Sequence, residues 1–171
     1  MRTGTEFDLT VSGKIRFTIG RQSEDVSKRR HCAWLACWKC VTKLHLRSET
    51  QVPASDFFLG VYMTAVGQAE LLTRIAIPAG RQDGFAAVTL GVEGTCIVNA
   101  AASMNGSLRV AIGCVDAVPV VVEAESPDTV REAVRAAGLH PPDDVHASSE
   151  YRAHLAEVLA ERAARQAAEK R

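Results

Sequence analysis

Within one short stretch, His31, Cys32, Cys37 and Cys40 have the side chains that a zinc ion would need. Zinc takes thiolates and imidazoles in tetrahedral sets, and Cys37-x-x-Cys40 has the spacing of one ligand pair. A structural site normally uses two well-spaced pairs, whereas the second here would be the adjacent His31 and Cys32. The zinc reading therefore stands beside a plainer one, in which these are ordinary residues of an irregular segment. Lys28-Arg29-Arg30, with Trp34 and Trp38 close behind, adds the mix of cations and aromatic rings that grips single-stranded nucleic acid. The chain supplies no further basic face: its 20 Lys and Arg are matched by 20 Asp and Glu. Neither nucleic acid nor an anionic membrane surface is expected as a partner.

Elsewhere the reactive residues are scattered. Cys96 and Cys114 fall in apolar runs and read as small buried hydrophobes. His140, His146 and His154 stand in or next to helix ends, where a solvated imidazole is the ordinary outcome. No Ser-His-Asp set and no carboxylate pair can be assembled, and no glycine-rich loop joins a strand to a helix as phosphate binding requires. Residue chemistry alone thus yields no catalytic constellation. The five cysteines are odd in number and irregularly spaced, which fits a reducing compartment, and MRTGTEFDLTVSG lacks the basic-then-apolar order of a secretory signal. The longest uncharged run, Gly94 to Leu108, is interrupted by Asn99, Asn105 and Gly106 and is too short to span a bilayer. A cytoplasmic location is the expectation.

A chain of 171 residues, 47% apolar and 23% charged, can bury one ordinary core. Before residue 44 the pattern is weak: Phe7-Leu9-Val11 and Ile15-Phe17-Ile19 alternate about Gly13 as a hairpin or two strands would. From Leu44 the signals agree. Leu44-His45-Leu46 and the residues around Val52 read as paired strands, Pro53 ends the second, and residues 70–78 and 84–94 read as further strands. Asn105-Gly106 predicts a two-residue type I′ turn, which sets Met104 opposite Ser107 and Ala100 opposite Ala111. In that register Ala100, Ala102, Ala111 and Gly113 make one low, flat patch. Layers held apart by ordinary side chains sit about 10 Å from one another, and this patch would admit something closer. The candidates are one of the chain's own helices, another subunit or a planar cofactor. Residues 117–125 form a last extended piece.

The period then changes. Ser126 suits a cap and Pro127 the first helical position, while Val130, Ala133, Val134 and Ala137 form a stripe closed by Gly138, which predicts about three turns. A final helix is predicted from near Ser148. Tyr151, Leu155, Val158, Leu159 and Ala163 share one face; Arg152, Glu157, Glu161, Arg162 and Arg165 lie away from it; the charged tail from Ala164 frays. Strands first and helices last make the fold class α+β: a small antiparallel sheet of 3–4 strands packed by C-terminal helices.

Several segments, taken together, resemble a known family. Asp56-Phe57-Phe58 with Thr64, the run Glu70-Leu71-Leu72-Thr73 to Pro78, GFAAVTLGVEGTCIVNAAASMNG, and Glu150-Tyr151-Arg152 with Leu155 and Arg162 stand in the family's order. They are similar to the C-terminal half of the FAD-binding medium subunit of the molybdenum hydroxylases, the carbon monoxide dehydrogenase and xanthine dehydrogenase group. The resemblance runs from Leu44 to Ala168. It implies a carbon monoxide dehydrogenase flavoprotein C-terminal-domain-like fold and a place in an oxidoreductase complex. In such complexes a large subunit hydroxylates substrate at a molybdenum cofactor and a small subunit relays electrons through 2Fe-2S clusters. FAD on the medium subunit then passes them to an acceptor. The flavin carries that chemistry, so catalytic acids and bases are not expected on this chain.

The resemblance also assigns site residues and exposes departures. Thr18-Ile19-Gly20 matches the start of a Thr-Ile-Gly-Gly motif, and Leu72 matches a position beside the flavin, so Thr18, Gly20 and Leu72 are the implied FAD contacts. Arg21 stands where the second glycine belongs, adding bulk and charge where backbone would approach the cofactor. A lysine that the family often places near the flavin has no counterpart in residues 84–90, and the family's upstream glycine-rich segment, which holds the FAD pyrophosphate, has none either. The expected division is 1–43, a remnant of the FAD-binding domain with Arg21 to about Lys43 read out of frame, and 44–171, the flavoprotein C-terminal domain. On this reading the chain is a truncated medium subunit, inactive alone and a poor FAD binder. The alternative is a non-catalytic α+β interaction module that dimerises through the flat alanine face.

Overall fold

Among the residues that the computed structural model describes, 5–8, 41–46, 48–61, 63–67, 71–77, 82–91 and 96–169, extended segments come first and helices last. One antiparallel sheet has the order β1 (Thr5–Asp8), β6 (Leu71–Ile77), β2 (Val41–Leu46), β3 (Ser48–Pro53). It pairs β1 and the start of β2, from before residue 44, with β6. A single helical turn, α1 (Ala54–Phe57), leads from β3 into a hairpin of β4 (Phe58–Gly60) and β5 (Met63–Thr64). A second antiparallel sheet runs β10 (Val120–Ala124), β9 (Leu108–Gly113), β8 (Cys96–Met104), β7 (Gln82–Thr89). Helices α2 (Val130–Ala136) and α3 (Ser149–Glu169) cover one of its faces. This is the expected α+β architecture, and strands at 44–53, 71–77, 84–89 and 120–124 fall where the sequence placed them, while β2 starts earlier, at Val41. The segment Ile15 to Ile19 lies outside the described residues.

The β8–β9 register differs from the expected one by a residue. Met104 pairs with Leu108, Ala102 with Val110 and Ala100 with Ile112, so the loop holds three residues. Only Gly106 among them takes a positive φ, 78°, whereas a type I′ turn needs it at both central positions. The Asn105 N–H donates to the Ser107 carbonyl at 3.2 Å. A slip of one residue exchanges the faces of a strand. Here it brings Leu108, Val110 and Ile112 onto the same face as Val98, Ala100 and Ala102, so that one face gathers the apolar residues of both strands. The expected register would have paired them with Asn99 and Ser103. Burial of a single continuous apolar face outweighs the local turn preference of Asn-Gly.

That face is graded in height. On β7 and β8 it carries Gly84, Ala86, Ala100 and Ala102; on β9 and β10 it carries Leu108, Val110, Ile112 and Val122. The long helix α3 lies over the low side, and the short α2 fills in over β10 with Val130 and Val134. While Ala111 and Gly113, expected in the same patch, lie on the opposite face, the element that comes close to Ala100 and Ala102 is thus the chain's own C-terminal helix. Its buried stripe is Arg152, Leu155, Ala156, Leu159, Ala160, Ala163, Ala164 and Ala167, which is small opposite small. A Cβ placed on Gly84 would stand 1.9 Å from the Ala163 carbonyl oxygen and 2.8 Å from the Ala167 nitrogen, so helix backbone rests directly on strand backbone. Interiors packed to this density tolerate little added volume. At the open edge of the sheet, Gln166 Oε1 accepts the Phe85 N–H at 3.1 Å, occupying an edge group that could otherwise template another strand.

The helix details correct three expectations. Helix α2 has seven residues and begins at Val130, because Ser126 to Thr129 form a turn closed by the Thr129 N–H on the Ser126 carbonyl. In α3 the stripe is rotated: Tyr151 is exposed and Arg152 is buried. The helix also continues to Glu169 with Ala167 fully buried, since the tail's alanines belong to the sheet contact. Arg135 grips Glu157 through two hydrogen bonds, while Glu161 accepts from Arg165 and Arg131, tying α2 to α3. Such exposed pairs contribute little individually.

Arg152 is different in kind, being only 4% exposed. Its Nη1 donates to the Ile97 carbonyl at 2.5 Å and its Nη2 to Asp144 Oδ2 at 2.6 Å, which clamps the start of α3 to β8 and to the preceding loop. Asp144 Oδ1 in turn accepts the N–H groups of His146 and Ala147. The guanidinium, together with those N–H donors, holds the Asp144 carboxyl down to about 2.

Two predictions follow from these contacts. Gly84→Ala should destabilise the chain by about 2–3 kcal/mol in urea unfolding, because rigid backbone must shift. Gly60→Ala, whose new methyl would meet Met63 at an ordinary 3.7 Å, should cost far less. Asp144 has a depressed carboxyl, so it contributes stability above its ordinary 3.8 that is lost as the pH falls towards about 2. Asp144→Asn should therefore flatten the decline of stability across that acid window relative to the unaltered chain, as followed by circular dichroism.

Candidate functional site

On the sheet face turned away from α3, β9 and β10 present Arg109, Ala111, Gly113, Val121 and Glu123. Arg109 and Glu123 are cross-strand neighbours, with Nε 3.1 Å from Oε1. Beside them opens a cleft of about 370 Å³. Its far wall comes from the β3–α1 junction and β4, with Ala54, Ser55 and Phe58, and its near wall is Arg109, Pro119 and Val121. A volume of this order suits a small organic molecule. Its polar equipment is sparse: the Ser55 hydroxyl donates to Asp56 Oδ1 at 2.8 Å, and Arg109 already faces Glu123. Among the described residues lining the cleft there is no histidine, so it can hold an apolar or planar group but supplies no proton relay.

A second cluster lies near the opposite end of that sheet. Asn99 pairs with Gly113 across the strands and is wholly buried. Its amide fits only because residue 113 lacks a side chain: a Cβ there would meet Asn99 Oδ1 at 2.7 Å. Asn99 Nδ2 stands 3.3 Å from Cys96 Sγ and 3.7 Å from Cys114 Sγ, while Oδ1 has no hydrogen-bond partner. Cys96 is buried and its thiol reaches the Val88 carbonyl at 3.7 Å. Cys114 is half-buried and takes a left-handed backbone with φ 68°, a region that residues with a Cβ seldom occupy.

The residues singled out from sequence fare unevenly. Leu72 is placed in β6 by its backbone, opposite Leu44 of β2, next to the bulge between Lys43 and Leu44. Thr18 and Gly20 lie outside the described residues, as do His31, Cys32, Cys37, Cys40, Trp34 and Trp38. Of the three implied FAD contacts, Leu72 alone lies among the described residues. His140, His146 and His154 are all exposed; His140 Nδ1 stands 3.9 Å from Asp116. Among the described residues no three His, Cys, Asp or Glu side chains converge as a metal would require, and no helix is long and apolar enough to cross a membrane. Sequence reasoning missed Asn99 and Arg109, although Arg109 is the single polar residue of β9 and Asn99 one of two, with Ser103, in the apolar β8. It also missed the burial of Arg152, which the Glu150-Tyr151-Arg152 motif flagged by resemblance while helical periodicity set it in solvent.

The described residues do not fit FAD. A flavin dinucleotide needs backbone N–H groups for its pyrophosphate, commonly at a glycine-rich helix start. The helices here begin at Pro53-Ala54, Thr129-Val130 and Ser148-Ser149, and the cleft offers one guanidinium beside its own carboxylate.

No protein-family model matches the chain, and no curated protein matches it. Solved structures do. The quinoline 2-oxidoreductase of Pseudomonas putida 86 superposes with a TM-score of 0.69 at 26% identity, over 80% of this chain and 55% of that one. The carbon monoxide dehydrogenase of Hydrogenophaga pseudoflava superposes at 0.69 with 23% identity, and a Cu,Mo-CO dehydrogenase at 0.70 with 24%, over the same shares. The chain spans about 55% of the length of the chains it matches. It thus has, over four-fifths of its residues, the α+β fold of a chain found in these oxidoreductases.

Proposed function

We propose that this chain, from residue 44 onward, corresponds to the C-terminal domain of the FAD-binding medium subunit of a molybdenum-containing hydroxylase. The observation that carries the reading is the superposition with carbon monoxide dehydrogenase and quinoline 2-oxidoreductase over 80% of the chain. The family-like motifs stand in this fold at positions with physical reasons. Asp56-Phe57-Phe58 forms the turn between β3 and β4, with Phe57 fully buried, and Arg152 is the buried clamp at the start of α3. In the complex the FAD would supply electron transfer from 2Fe-2S clusters to an acceptor; this chain's residues would supply a folded surface for the molybdenum and iron–sulfur subunits. Fold alone does not fix function, and the motif order is what narrows it to this subunit.

The dimerising-module alternative loses its surface, because α3 covers the alanine face that a second copy would need. Co-expression with a molybdenum-cofactor large subunit and a 2Fe-2S small subunit separates the readings. The proposal expects a stable complex on size exclusion; self-association alone would overturn it. The purified chain by itself should carry little or no flavin absorbance. Stoichiometric retained FAD would contradict the reading that this chain alone is a poor flavin binder.

A further inference from the structure

Two unfavourable features and a pair of thiols coincide at one place that the proposed function leaves unused. Asn99 is wholly buried with its Oδ1 unpartnered, Cys114 holds a left-handed backbone, and two sulfurs share one amide nitrogen as neighbour. Buried unsatisfied groups and strained backbone tend to gather where a site does chemistry. With Nδ2 at 3.3 Å from one sulfur and 3.7 Å from the other, the two Sγ atoms stand no more than 7.0 Å apart, the sum of those distances. Closing that gap requires rotation about both Cα–Cβ bonds and the amide to move aside. The two cysteines also differ in access: Cys114 is half-buried and Cys96 is 1% exposed. That is the division of labour between an attacking thiol and a resolving one.

We propose that Cys96 and Cys114 form a redox-active thiol pair that a small-molecule disulfide converts to an intramolecular disulfide. The Cys114 thiolate attacks one sulfur of glutathione disulfide, forming a mixed disulfide and releasing one glutathione. The Cys96 thiolate then attacks the Cys114 sulfur and releases the second glutathione. The two cysteine thiols lose two protons and two electrons, and the small disulfide gains both. The new bond joins the start of β8 to the residue that follows β9, and Asn99 leaves its place between the sulfurs.

The full chain, incubated with glutathione disulfide, unfolded with an alkylating agent and digested, gives the test by mass spectrometry. The expected product is a Cys96–Cys114 cross-linked peptide pair lighter by two hydrogens than the two thiol peptides. Cys96→Ser should stop at a glutathione adduct on Cys114. In urea the same reagent should scatter pairings among the five cysteines. Because replacing a buried cysteine can itself disturb the fold, the unaltered chain decides the matter. If it retains two alkylated thiols, stops at the glutathione adduct, or joins Cys114 to Cys32, Cys37 or Cys40 instead, the proposal is overturned.

Discussion

The contact of helix backbone with strand backbone at Gly84 governs the architecture, because nothing with a β-carbon fits between Ala163 and β7. An α-helix can approach a sheet this closely only where both surfaces are made of glycine and alanine. The sheet meets that condition on β7 and β8 and abandons it on β9 and β10, where Leu108, Val110 and Ile112 rise to their full height. A single helix cannot lie flat across such a step. The chain resolves it with α3 low over the alanines and α2 beside it over the taller residues, the two joined by the Arg135–Glu157 and Arg131–Glu161 pairs.

Close approach restricts the polar groups as well. Little water can enter a contact of this density, so the Arg152 guanidinium must find its partners in the protein; its Nη groups do so in the Ile97 carbonyl and Asp144, while its Nε is left without one. A buried pair of this kind adds little net stability over an apolar substitute, but losing one partner is costly. Its value is in register: Arg152 fixes where along the sheet α3 begins, which determines whether Ala163 meets Gly84. Asn99, on the opposite face, is the counter-example. Its amide is accommodated by the missing side chain at Gly113, yet its oxygen is left without a donor, an expense of about 1–3 kcal/mol.

Much of this was legible in the residues. The alternation of Leu71 to Ile77 and the proline after it mark a strand, Asn105-Gly106 marks β8 as one arm of a hairpin although alanine is a poor strand former, and Gly138 closes α2 with a positive φ as its type suggests. The register was not legible, because Asn105-Gly106 encodes a local turn preference while the pairing answers to the whole apolar face. The orientation of α3 misled for a related reason. Alanine counts weakly in any hydrophobic stripe, so Tyr151 and Val158 drew the predicted face away from Ala156, Ala160, Ala164 and Ala167, which the low sheet surface requires. The candidate site was legible only by resemblance: Leu72 falls on a described strand, but a cofactor contact is a relation between distant segments that no local pattern carries.

Ala100 and Ala102 thus have an internal occupant, and among the described residues the open features include the Arg109 cleft and the exposed Leu59, Val61 and Met63 of the β4–β5 hairpin. The account stands on α3 and the β7–β8 ribbon being one cooperative unit. Native-state hydrogen exchange measures this most directly. The amides of Ala100 to Ala102 and of Ala156 to Ala167 should exchange through a single global opening with the same free energy. Exchange of the helix amides through a smaller opening, with the strand still protected, would contradict it.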